Sequence, residues 1–315
     1  MPGWEDAPMT DEPFDPADIG RAHRATDPIH SLIYFASDAD DVLVAAGLRP
    51  GRMVYFASRS APMGAVTGAV VTATFYSFNP ELIARFFPRA WTLVSPEDVI
   101  SARFVAADVA LRRLIGEEAL TTPETHELLE LMREATTACR PEGRPLYASH
   151  AALAWPEKPA LALWHAATLL REYRGDGHLM ALTAVGGLSG IEALITHTAT
   201  GRGMTVDSAK LLRGWSEEQW SAAENRLRDR GLLDDNGALT AEGISLRMHI
   251  EAATDELGGA PWRHLGSART RRVVELAKPL ARIAAGNGAF PATVFATSRS
   301  RERGADPAPK VVLRG

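Results

Sequence analysis

The sequence predicts a mainly α protein, a multi-helix N-terminal domain followed by a smaller module of different character. Three observations carry this. Apolar residues recur at three- and four-residue intervals in run after run, strand-like alternation is nearly absent, and several runs open on a short polar residue followed by proline, as at Asn79-Pro80, Ser95-Pro96 and Thr122-Pro123. A side-chain oxygen at that place accepts an orphaned N–H of the first turn, and proline fits the first helical position because its missing N–H costs nothing there.

The elements follow in order. Residues 1 to about 20 are acidic and proline-bearing and are expected to form an unstructured tail. Helical periods then cover Ile29 to Phe35 leading into Asp40 to Ala46, Ala65 to Tyr76, Pro80 to Phe87, Pro96 to Gly116, Pro123 to Ala138, Pro159 to Tyr173 and His178 to Thr196. These runs are expected to form one helical domain over residues 21–203. From Thr205 the pattern changes: a short helix over Asp207 to Leu212, a longer one over Glu217 to Arg230 capped by Ser216 with Gln219, a tight turn at Asp234-Asp235-Asn236-Gly237, and a helix over Ala241 to Glu256. A last amphipathic helix over about 265–288, within 258–296, is expected to pack on the core or on the second copy of a homodimer. Residues 297–315 read as a second unstructured tail.

Composition bounds the function. With 315 residues, 46% of them hydrophobic and 23% charged, the chain has the material for a real core. The apolar run Gly64 to Thr74 is too short to cross a bilayer, which takes about 20 residues. The acidic N-terminus lacks the basic-then-apolar form of a signal peptide, so a cytoplasmic location without membrane partners is expected. Cys139 is the sole cysteine, which excludes an intrachain disulfide and a cysteine-rich zinc site. A net charge of −5 argues against non-specific nucleic-acid binding by the whole chain.

The chemistry concentrates in Leu163-Trp164-His165-Ala166-Ala167-Thr168-Leu169-Leu170-Arg171-Glu172-Tyr173-Arg174-Gly175-Asp176-Gly177-His178. A helix rising to Tyr173 places His165, Thr168 and Glu172 on one face, and Gly175 and Gly177 are expected to bracket Asp176 in a turn. Two readings stand side by side: a ligand or acid/base site at a helix junction, or Asp176 capping a helix that begins near His178, with the arginines solvated. For the site reading, His165 and His178 are the candidate catalytic groups, because histidine titrates near neutrality. Arg59, Arg171, Glu172, Arg174 and Asp176 are the candidate ligand-binding groups, the guanidiniums clamping an anion. Arg59 sits in the Arg59-Ser60-Ala61-Pro62-Met63-Gly64 turn and is equally able to pair with Asp108 or another acid. The aromatic residues of the first hundred positions, such as Tyr34, Tyr55, Phe75 and Phe78, suit either a pocket or a core. His30, His150, His165, His178 and His197 include no i,i+4 pair and no HExxH pattern, so no metal ligand and no cofactor is assigned.

The segment Arg226-Leu227-Arg228-Asp229-Arg230-Gly231-Leu232-Leu233-Asp234, followed by Gly237-Ala238-Leu239-Thr240-Ala241-Glu242-Gly243, resembles the recognition helix, small wing and following helix of MarR-like proteins. The resemblance implies a winged helix-turn-helix with a small β-wing over residues 204–257, and DNA contacts from Gln219, Arg226, Arg228 and Arg230. The charge runs the other way: six basic against eleven acidic residues lie between Thr205 and Glu256, Glu217 and Glu218 open the recognition helix, and the wing turn lacks arginine. Phosphate contact supplies most non-specific affinity, so this disfavours DNA. More widely, Phe56 to Gly64, Phe78-Asn79-Pro80 with Pro88 and Trp91, the stretch above, Arg213 to Ser216, Thr254-Asp255 with Pro261-Trp262, and Lys278-Pro279-Leu280 resemble an actinobacterial family of helix-turn-helix proteins. That resemblance implies the two-part architecture and a bacterial cytoplasm, with no reaction attached.

The sequence therefore favours a small-molecule-binding helical protein whose winged helix is degenerate and largely structural. Two alternatives remain open: a ligand-responsive, MarR-like transcriptional regulator, and an enzyme using histidine acid/base chemistry on a small anionic metabolite.

Overall fold

A computed structural model describes residues 13–291 and Val294. The described residues form helices α1 (Ala17–Ser31), α2 (Ser37–Ala45), α3 (Arg52–Ser60), α4 (Gly68–Phe75), α5 (Pro80–Ala84), α6 (Arg89–Leu93), α7 (Pro96–Leu114), α8 (Glu117–Leu120) and α9 (Pro123–Thr136). They continue with α10 (Pro145–Ala151), α11 (Pro159–Ala184), α12 (Gly190–Thr198), α13 (Val206–Arg213), α14 (Glu217–Asp229), α15 (Ala241–Leu257) and α16 (Ala260–Gly286). The three proline caps work as the sequence implies. Asn79 accepts from the N–H of Glu81, Ser95 from Asp98, and Thr122 from Thr125.

Two main apolar cores result among the described residues, with a small third cluster of Tyr147, Leu169 and Tyr173. The larger draws on Ile19 through Leu170 and closes with Trp262, Val273 and Leu280 of α16, which lies along α1 and α9. The smaller gathers Leu182, Ile191, Trp220, Leu227, Leu233 and Ile250 from the end of α11 through α15. α11 belongs to both. Every residue from Leu161 to Leu170 is buried, which marks a helix enclosed on all sides rather than amphipathic.

Four sequence expectations are corrected. The helix does not break at Gly175: α11 runs unbroken for 26 residues, and neither Gly175 nor Gly177 has a positive φ. Glycine inside a helix costs about 1 kcal/mol relative to alanine, so space must explain them. A Cβ on Gly177 would lie 2.8 Å from Arg144 Nη1 and 3.1 Å from Leu257, and one on Gly175 would collide with the Arg171 guanidinium. Asp176 accordingly caps no helix near His178. Its Oδ2 accepts the N–H of Tyr147 at 2.9 Å, closing the first turn of α10 from outside. The N-terminal tail is shorter than 1–20, because α1 begins at Ala17, where Ile19, Ala22 and Ile29 face the core; the rest of that tail, before residue 13, lies outside the described residues, as does 297–315.

The β-wing is the fourth. Among the described residues the wing reduces to a single bridge between Leu233 and Leu239. The turn chemistry is present, with Gly237 at φ 79° and Asp234 Oδ1 accepting from Asn236 and Ala238. The flanking residues are too few to extend a ladder. The sequence periods do not cover α1 before Ile29, α3 or α10: α1 buries Ala22, His23, Ala25 and Thr26 beside Ile19, and α3 and α10 are short, at 9 and 7 residues.

Candidate ligand-binding site

The predicted face of α11 exists, and its polar groups are sealed: His165, Thr168 and Glu172 are each at most 1% exposed. Glu172 is met by Arg59, which α3 aims across the core. Nε donates to Oε1 at 2.8 Å and Nη2 to Oε2 at 2.6 Å, a two-point clasp. Arg171 adds a contact to Oε2 at 3.3 Å. Burial alone would raise the Glu172 carboxyl, but Arg59 and Arg171 hold it well below the usual carboxylate range. Burial alone would lower Arg59, and Glu172 instead raises it further.

His30 completes this centre. Its Nδ1 lies 2.9 Å from Thr168 Oγ1, whose own proton goes to the Trp164 carbonyl. Thr168 must therefore accept from Nδ1–H, which leaves Nε2 as a bare lone pair. That nitrogen is buried without a hydrogen-bond partner, 3.9 Å from Glu172 Oε1. Burial first, then Arg171, Arg103 and Arg59, push its pKa well below the ordinary histidine value against the pull of Glu172, so it is a neutral acceptor.

These groups form the floor of a cavity of about 1410 Å³. Its wall is aromatic and continuous: His30 to Tyr34 at 5.3 Å between ring centroids, Tyr34 to Tyr55 at 5.1 Å, and Tyr55 to Phe78 at 5.5 Å. The Arg213 guanidinium, from the last turn of α13, lies 4.1 Å over Phe78 and ends the row. The Arg213 side chain makes no hydrogen bond or ion pair with a described residue, and its Nε is enclosed. Burial first, then Arg52, Arg59 and Arg171, lower its pKa to about 10. The same field acts on Tyr55: burial pulls the phenol up, yet Arg59, Arg213 and Arg171 bring it below the ordinary tyrosine value. Asp40, also on the wall, is pushed up to about 6 by burial and by Asp41, which makes it a weak counter-ion. The cavity thus carries surplus positive charge along an aromatic face.

The candidates from the sequence divide. Arg59, Arg171 and Glu172 meet, and Asp176 and His178 also reach the cavity wall. Asp176 is pushed up to about 6 by burial, against the N–H groups of Tyr147 and Leu146. Arg174 turns away to Asp255 at 2.9 Å. His165 lies off the cavity, edge-on to Trp155 at 5.0 Å, and burial lowers it to about 4. Thirteen residues of one helix separate it from His178, roughly 20 Å along the axis, so the two do not converge on one atom. His178 donates or accepts at Thr254, 2.8 Å away, and burial lowers it to about 3. Tyr55 belongs to the aromatic set that the sequence offers for a pocket or a core, and it lines the cavity. Arg213 has no such signal beyond being a basic residue in an acidic segment.

α13 and α14 make a helix-turn-helix. The connection Gly214-Trp215-Ser216 turns on Gly214 at φ 74°, and Ser216 and Gln219 cap α14 reciprocally. Its turn is docked on the helical body: Asn79 Nδ2 donates to Gly214 O at 2.8 Å and to Gln219 Oε1 at 3.0 Å, and Trp215 Nε1 donates to Ser77 O at 2.9 Å. The α14 arginines are spent inside the chain, Arg226 on Glu192 at 2.9 Å, Arg228 on Asn225 at 2.8 Å, and Arg230 on the carbonyl of Gly186 at 2.9 Å. Glu217 and Glu218 stay exposed.

Among the described residues no group of three or more His, Cys, Asp or Glu side chains is placed to hold a metal ion, and no helix is long and apolar enough to cross a membrane. Burial pushes the Cys139 thiol up to about 12, which leaves it inert. Fold and site together define a mainly helical helix-turn-helix protein with a cationic, aromatic cavity beneath its first described helix. The chain belongs to the helix-turn-helix family, whose pattern matches residues 19–291. No curated protein and no solved structure matches it.

Proposed function

We propose that the protein binds an anionic, aromatic small molecule in the cavity, with α13 serving as part of its wall and α14 chiefly structural. The observation that carries the reading is Arg213: a guanidinium stacked on Phe78, with an enclosed Nε and no acceptor, in a cavity whose buried Glu172 is already clasped by Arg59 and whose Asp27 lies against Arg171. A carboxylate supplies the missing acceptor, and an aromatic body lies along the Tyr34, Tyr55 and Phe78 row. At the far end His30 Nε2 accepts a hydrogen bond from a ligand hydroxyl or amine. Calorimetric titration with benzoate and 2-naphthoate tests this. Saturable binding is expected, weakened about tenfold or more in Arg213→Gln, since a charge-assisted hydrogen bond contributes about 1.5–3 kcal/mol. Undiminished binding by that variant would overturn the proposal.

The second reading is a DNA-binding regulator that responds to the ligand, in the MarR manner. The family match and the three-residue turn of the α13–α14 pair favour it. Gel retardation of duplex DNA across a salt series decides: retention that weakens steeply with salt supports it, and absence of retention at low salt removes it.

A further inference from the structure

We propose a second anion site, for the phosphate group of a small molecule, in the cleft between α1, α11 and α15. The cleft has a volume of about 1010 Å³ and is lined by Arg24, Arg171, Arg174, Arg202 and Arg247 against three carboxylates, Asp27, Glu251 and Asp255. Arg174, Arg202 and Arg247 line this cleft and not the large cavity, which adjoins it along a shared wall at Asp27, Arg171 and His178.

Arg247 is the central observation. Its side chain is 7% exposed, and its Nη2 alone is bonded, to Glu251 on the next turn of α15. Nε and Nη1 are buried with no acceptor. Arg174, facing it from α11, repeats the pattern: Nη2 is held by Asp255 at 2.9 Å, and Nε is buried without a partner. An unmet N–H of a charged group is costly to bury, so two neighbouring guanidiniums with three such groups mark a place where acceptors are missing.

The acids present do not supply them. Glu251 is about half exposed, at 48%, and its carboxylate already meets Arg247 and, at 3.6 Å, Arg174. Arg24 and Arg202 reach the same cleft and make no ion pair with a described residue. A phosphate brings two charges and several oxygens, which match the forked donors of guanidinium better than a single carboxylate does. Concavity selects a small molecule over a polymer backbone. The rim adds apolar contact, since Ile244 and Met248 line the cleft and are 49% and 61% exposed, a place for the rest of the ligand.

Pyrophosphate is the probe. Isothermal titration at low ionic strength should give one saturable event with the full chain. The affinity should fall at least tenfold in Arg202→Ala, an exposed position that leaves the fold intact, and in Arg247→Gln, with folding checked by circular dichroism. Arg213→Gln should bind pyrophosphate as the parent does. If Arg247→Gln does not fold, Arg202→Ala and Arg24→Ala together decide. Three results would each overturn the proposal: no saturable binding by the parent, unchanged binding in the cleft variants, or loss of binding in Arg213→Gln, which would move the anion to the large cavity.

Discussion

Replacing Glu172 by glutamine keeps the shape of the side chain and removes its charge. What is left behind is the Arg59 guanidinium, 7% exposed, with Arg171 beside it and Arg213 on the same cavity. The clasp of two bonds at 2.8 and 2.6 Å becomes at best one neutral hydrogen bond. Breaking a buried ion pair from one side costs about 3–5 kcal/mol, because the surviving charge has lost its solvent and its partner. Urea unfolding followed at 222 nm should show that loss as a lower midpoint with an unchanged slope. The double variant Arg59→Met/Glu172→Leu should regain most of it, since apolar replacements of similar volume leave no stranded charge. A loss under about 1 kcal/mol in Glu172→Gln, or a double variant no more stable than the single, would refute the reasoning. In the first case the pair is solvated, and in the second its packing, not its charge, is what matters.

Other outcomes follow from the same geometry. His150, His165 and His178 have folded-state pKa values lowered by burial to about 3, 4 and 3, so the unfolded chain binds more protons below the ordinary value near 6.5. Their contribution to stability is therefore complete above about pH 6.5 and is lost as pH falls from there, offset in part by Asp40 and Asp176, whose raised values near 6 favour the fold on acidification. Melting temperature against pH should start to decline near 6.5, and a flat profile down to pH 5 would contradict this. Asp176→Ala should cost about 0.5–2 kcal/mol by removing the cap on α10, measured by thermal melting, with the helical spectrum otherwise kept. Arg226→Ala should lower stability by about 1 kcal/mol through its pair with the buried Glu192, which keeps Ser189 as a partner, and leave any duplex retention unchanged; a reduced salt slope would instead assign that arginine to phosphate.

How much of this was legible in the sequence depends on how local the cause is. Caps are local, and Asn79, Ser95 and Thr122 act as read. The join of α11 was misread because glycine is a helix breaker by propensity, and only the positions of Arg144 and Arg171, supplied by the fold, explain why a smaller residue serves there. Glu172 and Arg171 announce themselves as charges in an apolar run. The partner of Glu172 does not, since Arg59 lies 113 residues away in the chain. His30 and Arg213 become site residues only when α1 and α13 are brought over the same aromatic row, and no spacing in the sequence encodes that meeting. The wing failed for another reason: a turn signal fixes a reversal of the chain but not the length of the ladder beside it.

The continuity of α11 has a consequence for taking the molecule apart. Because one helix supplies Leu163 and Leu170 to the larger core and Ala181 and Leu182 to the smaller, the helix-turn-helix cannot be severed as a free-standing piece. A fragment starting at residue 204 would lack Leu182, Ile191 and Ile195, and Trp220 and Leu227 would face water where those side chains had been. The two halves should accordingly melt in a single calorimetric transition, gained and lost together, and a graft of α13–α15 onto another protein would need the end of α11 and the whole of α12 to travel with it.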